Sequence, residues 1–383
     1  MKQCVQYDYI IIGAGIAGFQ LALEFSKDSF FSSKRIALID KSHKTINNKT
    51  LSFWEKGEGK WDSIVVKSWN EASIYTRNKN LSLKLNPYNY KTIRALDFYN
   101  KIKIELLNLT NYTFITEEVL SIENKTKLKV KTKQNSYETK HVFDSRIPKE
   151  YYLKSNNYIK IKQHFKGWVI KTDSHIFDTN KFTMMDYRMK DGEQTTFTYV
   201  LPFSKNKALI EFTYFTKNLV EQNTYDQFIE NYISDHLKIK NYEIIETETG
   251  IIPMTNFPFE KYSEKNITKI GTAGGWVKGS TGYSFKHTEK KVASIIFNIK
   301  NGLDYSKFLF IKKYKFYDKI FLKVLNDENG KGEWIFEQLY SKNSIRTILK
   351  FLDEETSVLE ELKIMKSLFS FAFIKAFFKT LKS

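Results

Sequence analysis

The chain has 383 residues, 42% of them hydrophobic, a single cysteine and a formal net charge of +18. That is enough apolar material for one large or two modest cores and excludes a disordered or fibrous chain, while the lone Cys4 excludes an internal disulfide framework and fits a reducing compartment. Only six of the 61 basic residues are arginine, too few for bidentate gripping of bases and phosphates, so an anionic membrane surface is the expected acidic partner and nucleic acid is not.

The first element is the apolar run in "DYIIIGAGIAGFQLALEFS", followed by a glycine turn, a helical pattern and a second apolar run, "RIALID". This order predicts a βαβ unit holding the fingerprint Gly13-x-Gly15-x-x-Gly18, with Asp40 closing the second strand. Gly13 makes the tight turn, Gly15 lets the main chain at Ala14 approach a pyrophosphate, and Gly18 packs helix on strand. Asp40, followed by Lys41, accepts ribose hydroxyls. A fingerprint this early, with later returns to the same sheet, favours FAD over a nicotinamide nucleotide. No signal peptide is expected ahead of it.

Two later stretches read as those returns. "HVFDSR" is a strand with a polar end, and Ile267 to Phe285, "ITKIGTAGGWVKGSTGYSF", is a strand, a glycine-rich loop with Gly271 and Gly282, and a helix start. The helix then runs to Gly302. Its free N–H groups and positive dipole end suit an anionic reduced flavin.

Between the returns, "QHFKGWVIKT", "KFTMMDYRMK", "TTFTYVLPF" and "ALIEFTYFT" alternate as strands of an antiparallel sheet, the last two joined by the turn "SKNK". From about residue 303 the pattern is helical and aromatic. The expected architecture is an α/β FAD-binding Rossmann fold of residues 1–154 with a return at 265–302. An antiparallel-sheet substrate domain fills 155–264, and a helical region, 303–383, faces substrate and membrane. The six histidines (43, 141, 164, 175, 236 and 287) show no ligand spacing, so no metal is expected. No run of about 18 apolar residues occurs, so no spanning helix is expected.

Within "ALIEFTYF", Glu211 is the one carboxylate in an otherwise apolar strand. Ionised and unpaired, it would cost several kcal/mol in desolvation. Either Arg188, Lys207 or a backbone amide partners it, or it points outward, or its burial keeps it a neutral acid.

In this order, "IIIGAGIAG", "NNKTLSFWE", "QHFKGW", "MMDYRM", "YVLPFSKNKALIEFTYF", "GIIPMTNFPF", "IGTAGGWVKGSTGYSFK" and "FLDEETSVLEELKIM" resemble the bacterial lycopene β-cyclase family of flavoproteins. The resemblance implies a glutathione-reductase-type FAD domain with an inserted substrate domain, and a redox-neutral isomerase reaction. An acid protonates C2 of lycopene, C5=C6 attacks the C1 cation, and loss of a proton from C6 leaves a β-ionone ring; both ends together lead through γ-carotene to β-carotene. It implies reduced FAD, with NADPH or NADH as reductant, and Glu211 as the acid. The chain departs from the family at Lys49-Thr50-Leu51, where arginine and tryptophan are common, at Phe212 after the acid, and at Gly279, where proline is common.

Carbocations need electron-rich walls, and Trp54, Trp168, Trp276, Tyr283 and Phe285 fall in family-like blocks. Of these, Trp54, Trp276, Tyr283 and Phe285 are expected to line the substrate site, with Glu354. The acids Asp353, Glu354 and Glu355 also read as first-turn residues of a helix. Asp186 and Arg188, two apart, are expected to pair or to orient the acid. In "FAFIKAFFKTLK" one face carries Phe373, Ile374, Phe377, Phe378 and Leu381 and another carries Lys375, Lys379 and Lys382. This pattern suits a helix in the headgroup layer at the cytoplasmic face of the cell membrane, or one docked on the protein body. The competing functions are a flavin monooxygenase or prenyl reductase on the same fold, and a non-catalytic carotenoid or flavin carrier.

Overall fold

The computed structural model describes residues 5–47, 49–124, 127–153 and 158–382. Cys4 and the expected boundary between residues 154 and 155 lie outside them.

Strand Val5–Ile12, helix Ile16–Lys27 and strand Ile36–Asp40 form the βαβ unit that the glycine spacing predicts. Val5–Ile12 lies between Ile36–Asp40 and the return strand Ser136–Asp144, both parallel to it, and Tyr112–Thr116 extends the sheet beyond Ile36–Asp40. The far end of Ser136–Asp144 takes up Ile267–Lys269 in parallel, so both expected returns reach this sheet. Helices Ile16–Lys27, Ala95–Leu107 and Phe285–Lys300 cover one face through an aromatic core that includes Phe19, Phe98 and Phe285. The fold is the glutathione-reductase type of FAD-binding Rossmann fold, with an inserted sheet and a helical C-terminal region.

The inserted sheet has seven strands in the order Glu243–Thr255, Lys160–Lys171, Lys207–Thr216, Thr196–Ser204, Lys181–Asp186, Glu71–Tyr75 and Asn80–Lys84. Here the sequence reading needs correction. Residues 71–84, expected in the FAD domain, belong to the substrate sheet, and Glu71–Tyr75 pairs parallel with Lys181–Asp186, so the sheet is mixed. A three-stranded sheet of Thr50–Lys56, Tyr88–Arg94 and Val65–Trp69 links the two bodies.

Strand Lys207–Thr216 is buried on both faces. Ala208, Ile210, Phe212 and Tyr214 pack against helix Gln222–Asp235 through Tyr225, Ile229 and Tyr232. The opposite face, with Leu209, Glu211, Thr213 and Phe215, turns toward the C-terminal helices Lys312–Asp327, Gly332–Lys342, Ile345–Leu352, Val358–Ser367 and Phe371–Leu381. Period-two alternation thus divides the strand between a helix and a cavity, and puts the carboxylate on the cavity side.

Asp353 caps the end of Ile345–Leu352, and the next helix starts only at Val358, behind a capping box of Ser357 and Glu360. Asp353, Glu354 and Glu355 therefore occupy a link at a helix C-terminus, not a first turn. Because the dipole there disfavours negative charge, each acid has a donor. Trp54 Nε1 donates to Asp353 (2.8 Å), and Lys278 and Lys290 pair with Glu354 (3.5 Å) and Glu355 (2.7 Å). Burial pushes Asp353 up to about 6.

Candidate active site

Gly13 has φ +94°, and a Cβ there would lie 1.9 Å from Ser145 Oγ; a Cβ at Gly18 would lie 2.0 Å from the Gly13 carbonyl oxygen. Neither position admits a side chain. A Cβ at Gly15 would meet nothing within 4 Å, which leaves open space before the N-terminus of Ile16–Lys27. The Ala14 N–H donates to Asp40 Oδ2 (2.8 Å), tying the glycine turn to the second strand. Asp40 Oδ1 accepts from the Ser42 N–H and hydroxyl, and Lys44 lies 3.2 Å away. Burial pushes Asp40 up, but these donors outweigh it and hold it below the ordinary carboxylate range. Lys41 follows, exposed.

Gly271 packs against Ala17 of the same helix, its Cβ position 3.1 Å from the Ala17 Cβ. Gly282, φ +76°, opens the second helix end at Ser284, where no side chain caps the helix Phe285–Lys300. Gln163 Oε1 and Thr281 Oγ1 are buried beside that loop without a hydrogen-bond partner. Two uncapped helix N-termini, a cradle at Gly15 and orphaned polar atoms fit a dinucleotide that brings an anionic diphosphate and its own donors and acceptors.

A cavity of about 550 Å³ continues from Ile16 and the loop 280–285 past Glu211 into the helical region. Its walls are mainly apolar and aromatic, among them Met184, Phe197, Leu209, Tyr340, Phe351 and Phe373. The exposed members of its lining, Met365, Phe369, Phe377 and Phe378, all belong to the last two helices and the link between them. They mark its mouth.

Glu211 lines this cavity and is 8% exposed. Among the described residues neither Arg188 nor Lys207 pairs with it, and Arg188 forks onto Asp186 instead (Nη2 to Oδ2, 2.5 Å). Asp186 also accepts from the Tyr232 hydroxyl (2.8 Å), so Asp186 and Arg188 pair with each other, as expected. The hydrogen bond Glu211 does make comes from Thr213 Oγ1 (2.9 Å). Burial first, then the neighbouring Glu248, push its pKa well above the ordinary value, which Thr213 only partly opposes.

Of the predicted wall residues, Tyr283 and Phe285 line the cavity. Trp54, Trp276 and Glu354 do not. Trp54 packs edge-on against Tyr283 (4.5 Å) from behind, while Trp276 and Glu354 line a separate pocket of about 230 Å³. Trp168 is buried on the opposite face of the sheet, toward helix Gln222–Asp235. The residues that sequence reasoning missed are Tyr90, Tyr199 and Glu248. Tyr199 pairs directly with Glu211 across the strands, and its hydroxyl donates to that of Tyr90 (2.8 Å), which lies 3.4 Å from the Tyr283 hydroxyl. Glu248, 7% exposed, accepts from Thr50 Oγ1 (2.8 Å).

The C-terminal helix Phe371–Leu381 docks by Ala372, Ala376 and Thr380. Phe373, Ile374, Phe377 and Phe378 line the cavity, and Phe371, Phe378 and Leu381 are exposed. Among the described residues no helix is long and apolar enough to cross a membrane.

The family profile described as "Lycopene cyclase protein" matches residues 8–377. Among curated relatives, a chloroplastic neoxanthin synthase of Solanum tuberosum is 26% identical over 73% of this chain and 57% of its own length. A chloroplastic lycopene beta cyclase of an Oncidium hybrid cultivar is 24% identical over 73% and 61%. The chain thus spans about three fifths of the curated relatives it matches. Among solved structures, a geranylgeranyl bacteriochlorophyll reductase-like protein of Thermoplasma acidophilum superposes over 99% of this chain and 100% of its own with TM-score 0.62 at 13% identity. A flavoprotein/dehydrogenase of Cytophaga hutchinsonii does so over 98% and 99% with TM-score 0.61 at 12% identity.

Proposed function

The chain belongs to the lycopene cyclase family, and from that premise we propose that it closes the ends of lycopene into β-ionone rings, by way of γ-carotene to β-carotene, with no net redox change. The observation that carries this reading is one carboxyl group, Glu211, buried in the wall of a hydrocarbon-lined cavity that starts at the glycine turn and opens among exposed aromatics.

Alkene protonation needs a neutral acid held against the substrate in the absence of water. Glu211 meets both requirements, since burial keeps its proton on and Leu209, Phe215 and Phe197 line the space around it. Its proton goes to C2; the C5=C6 electron pair then forms the C1–C6 bond, and C6 gives up a proton to restore the double bond. Tyr199 and Tyr283 present rings to the positive charge, and hydrogen bonding among Tyr90, Tyr199 and Tyr283 ties up their hydroxyls. The open space at Gly15, in the turn that Gly13, Ala14 and Gly18 shape, would take the diphosphate of FAD, Asp40 would hold its ribose, and Gly271 and Gly282 would lie toward the flavin end. Bound in its reduced form, with NADPH or NADH as reductant, FAD would supply negative charge that favours a cation.

A long hydrocarbon is insoluble in water and must come from a bilayer. Phe369, Phe371, Phe378 and Leu381, exposed beside Lys375, Lys379 and Lys382, support peripheral docking at the cytoplasmic face of the cell membrane.

Expression in bacteria that accumulate lycopene tests the reading by chromatography and mass. Cyclisation leaves the mass unchanged and shortens the chromophore. A changed mass would indicate the redox chemistry of a monooxygenase or reductase, and unchanged lycopene a carrier. Glu211→Gln should retain FAD and lose at least about a hundredfold in rate; normal ring formation by that variant would remove Glu211 from the role.

A further inference from the structure

We propose that Glu248 is the catalytic partner of Glu211: the two carboxyl groups flank the missing side chain of Gly167 and act as one acid–base pair, Glu211 giving the proton to C2 and Glu248 taking the one lost from C6. This rests on the cyclase reading above.

The geometry comes from strand register. Tyr199, Glu211, Gly167 and Glu248 lie directly opposite one another in a row across four adjacent strands. Opposed residues share a face, and strands are about 4.8 Å apart, so the two glutamates are next-but-one neighbours on one face with a glycine between them. A Cβ at Gly167 would lie 3.3 Å from Glu211 Cβ and 3.4 Å from Glu248 Cγ. The missing side chain at Gly167 lets Leu209 Cδ1 (2.9 Å from that Cβ position) and both glutamates close in on one space, and both glutamates line the same cavity.

Their surroundings differ in the way a division of labour requires. Glu211 has the Thr213 hydroxyl and otherwise apolar and aromatic walls. Glu248 accepts from Thr50 Oγ1, which itself accepts from Arg94 Nη1 (2.7 Å). Arg94 is shared with Glu246, and Asn47 Nδ2 also donates to Glu246 (3.0 Å). Burial raises Glu248 too, but the Thr50 hydrogen bond and the Arg94 charge oppose it. Burial and the like charge of Glu248 both push Glu211 up, so the proton of the pair rests on Glu211 with the charge on Glu248.

The proton inventory balances. The Glu211 proton forms the C2–H bond with the C1=C2 electron pair. C1–C6 forms from the C5=C6 pair, and C6–H breaks, returning its electrons to C5=C6 and its proton to Glu248. C2 and C6 are both bonded to C1 in the new ring, so donor and acceptor must be neighbours. Transfer of one proton from Glu248 back to Glu211 resets the pair, with no oxidant, reductant or outside proton consumed.

The test uses the full chain with reduced FAD, comparing wild type, Glu248→Gln, Glu248→Asp and Glu211→Gln. Glu248→Gln should retain FAD and fold, hold KM within about threefold and lose about a hundredfold or more in single-turnover rate, with partial rescue by Glu248→Asp. Independently of turnover, the infrared band of the protonated Glu211 carboxyl should titrate at lower pH in Glu248→Gln without carotenoid, because the like charge is gone. Should Glu248→Gln not fold, Thr50→Val keeps the carboxylate but removes its donor, and should move the acid limb of the rate profile to higher pH. A rate within about threefold of wild type, an unmoved carboxyl titration, or an unmoved acid limb in Thr50→Val would overturn the pair. Inactive Glu211→Gln with fully active Glu248→Gln defeats only this inference, whereas wild type that leaves lycopene intact defeats the cyclase reading itself.

Discussion

Glu211 is held where a charge is least welcome, and that has a consequence for stability as well as for chemistry. Its folded pKa lies well above the ordinary value of 4.5. The contribution of its proton to folding is therefore fully present below about 4.5 and is lost as pH rises through the raised value. Wild type should lose melting temperature relative to Glu211→Gln as pH climbs above 4.5, with a residual slope in the variant from Glu248, which is raised in the same direction. Parallel pH profiles for the two proteins would mean that Glu211 is not carried as a buried neutral acid. The residue was legible in the sequence because it is the single carboxylate in a mostly apolar strand. Glu248 was not. It sits within "EIIETET" on the edge strand Glu243–Thr255, where most neighbours are exposed, and it becomes buried where Thr50 and Arg94 of the three-stranded sheet dock against it.

At the level of elements, the βαβ unit could be read because each glycine has a local steric reason that no other residue satisfies. Residues 71–84 could not, since Glu71–Tyr75 finds its partner about a hundred residues later in Lys181–Asp186, and local patterning carries no trace of such pairing. The rings that line the cavity were partly missed for a related reason. With 16% aromatics, Trp54 and Tyr90 look alike in sequence, and only the docking of the three-stranded sheet decides that Tyr90 faces the cavity while Trp54 stands behind Tyr283. The C-terminal helix was read as two-sided, with Phe373, Ile374, Phe377, Phe378 and Leu381 on its apolar face, but its docking stripe is small residues, Ala372 and Ala376. That arrangement leaves Phe371 at 77% and Phe378 at 58% exposure. Phe371→Ser with Phe378→Ser should leave folding stability within about 0.5 kcal/mol while sharply reducing cosedimentation with anionic vesicles. Undiminished vesicle binding would show that this helix is not the docking element.

In the whole molecule, the FAD fold and the helical region are joined by one buried cation. Lys278 pairs with Asp318 (3.1 Å) and Glu354 (3.5 Å), and its carbonyl accepts the Gly282 N–H (2.9 Å) in the loop at the flavin end. Burial favours its neutral form, but the two carboxylates outweigh that and hold it charged. Lys278→Ala strands both acids, and should cost about 3–5 kcal/mol in denaturant unfolding and release FAD more readily. A change under about 1 kcal/mol would mean that the cluster is solvated and weak. The same long-range join explains why Glu354 was misread from sequence, since its partner lies 76 positions away. The placement of Met365, Phe369, Phe377 and Phe378 has one last implication. With its exposed rim confined to the final two helices and the link between them, the cavity would take a long substrate of the proposed reaction tip first, with the trailing half left outside. If the proposed cyclisation holds, a second ring would require the half-finished pigment to withdraw, reverse and thread again, so scarce enzyme should leave a surplus of the one-ringed compound.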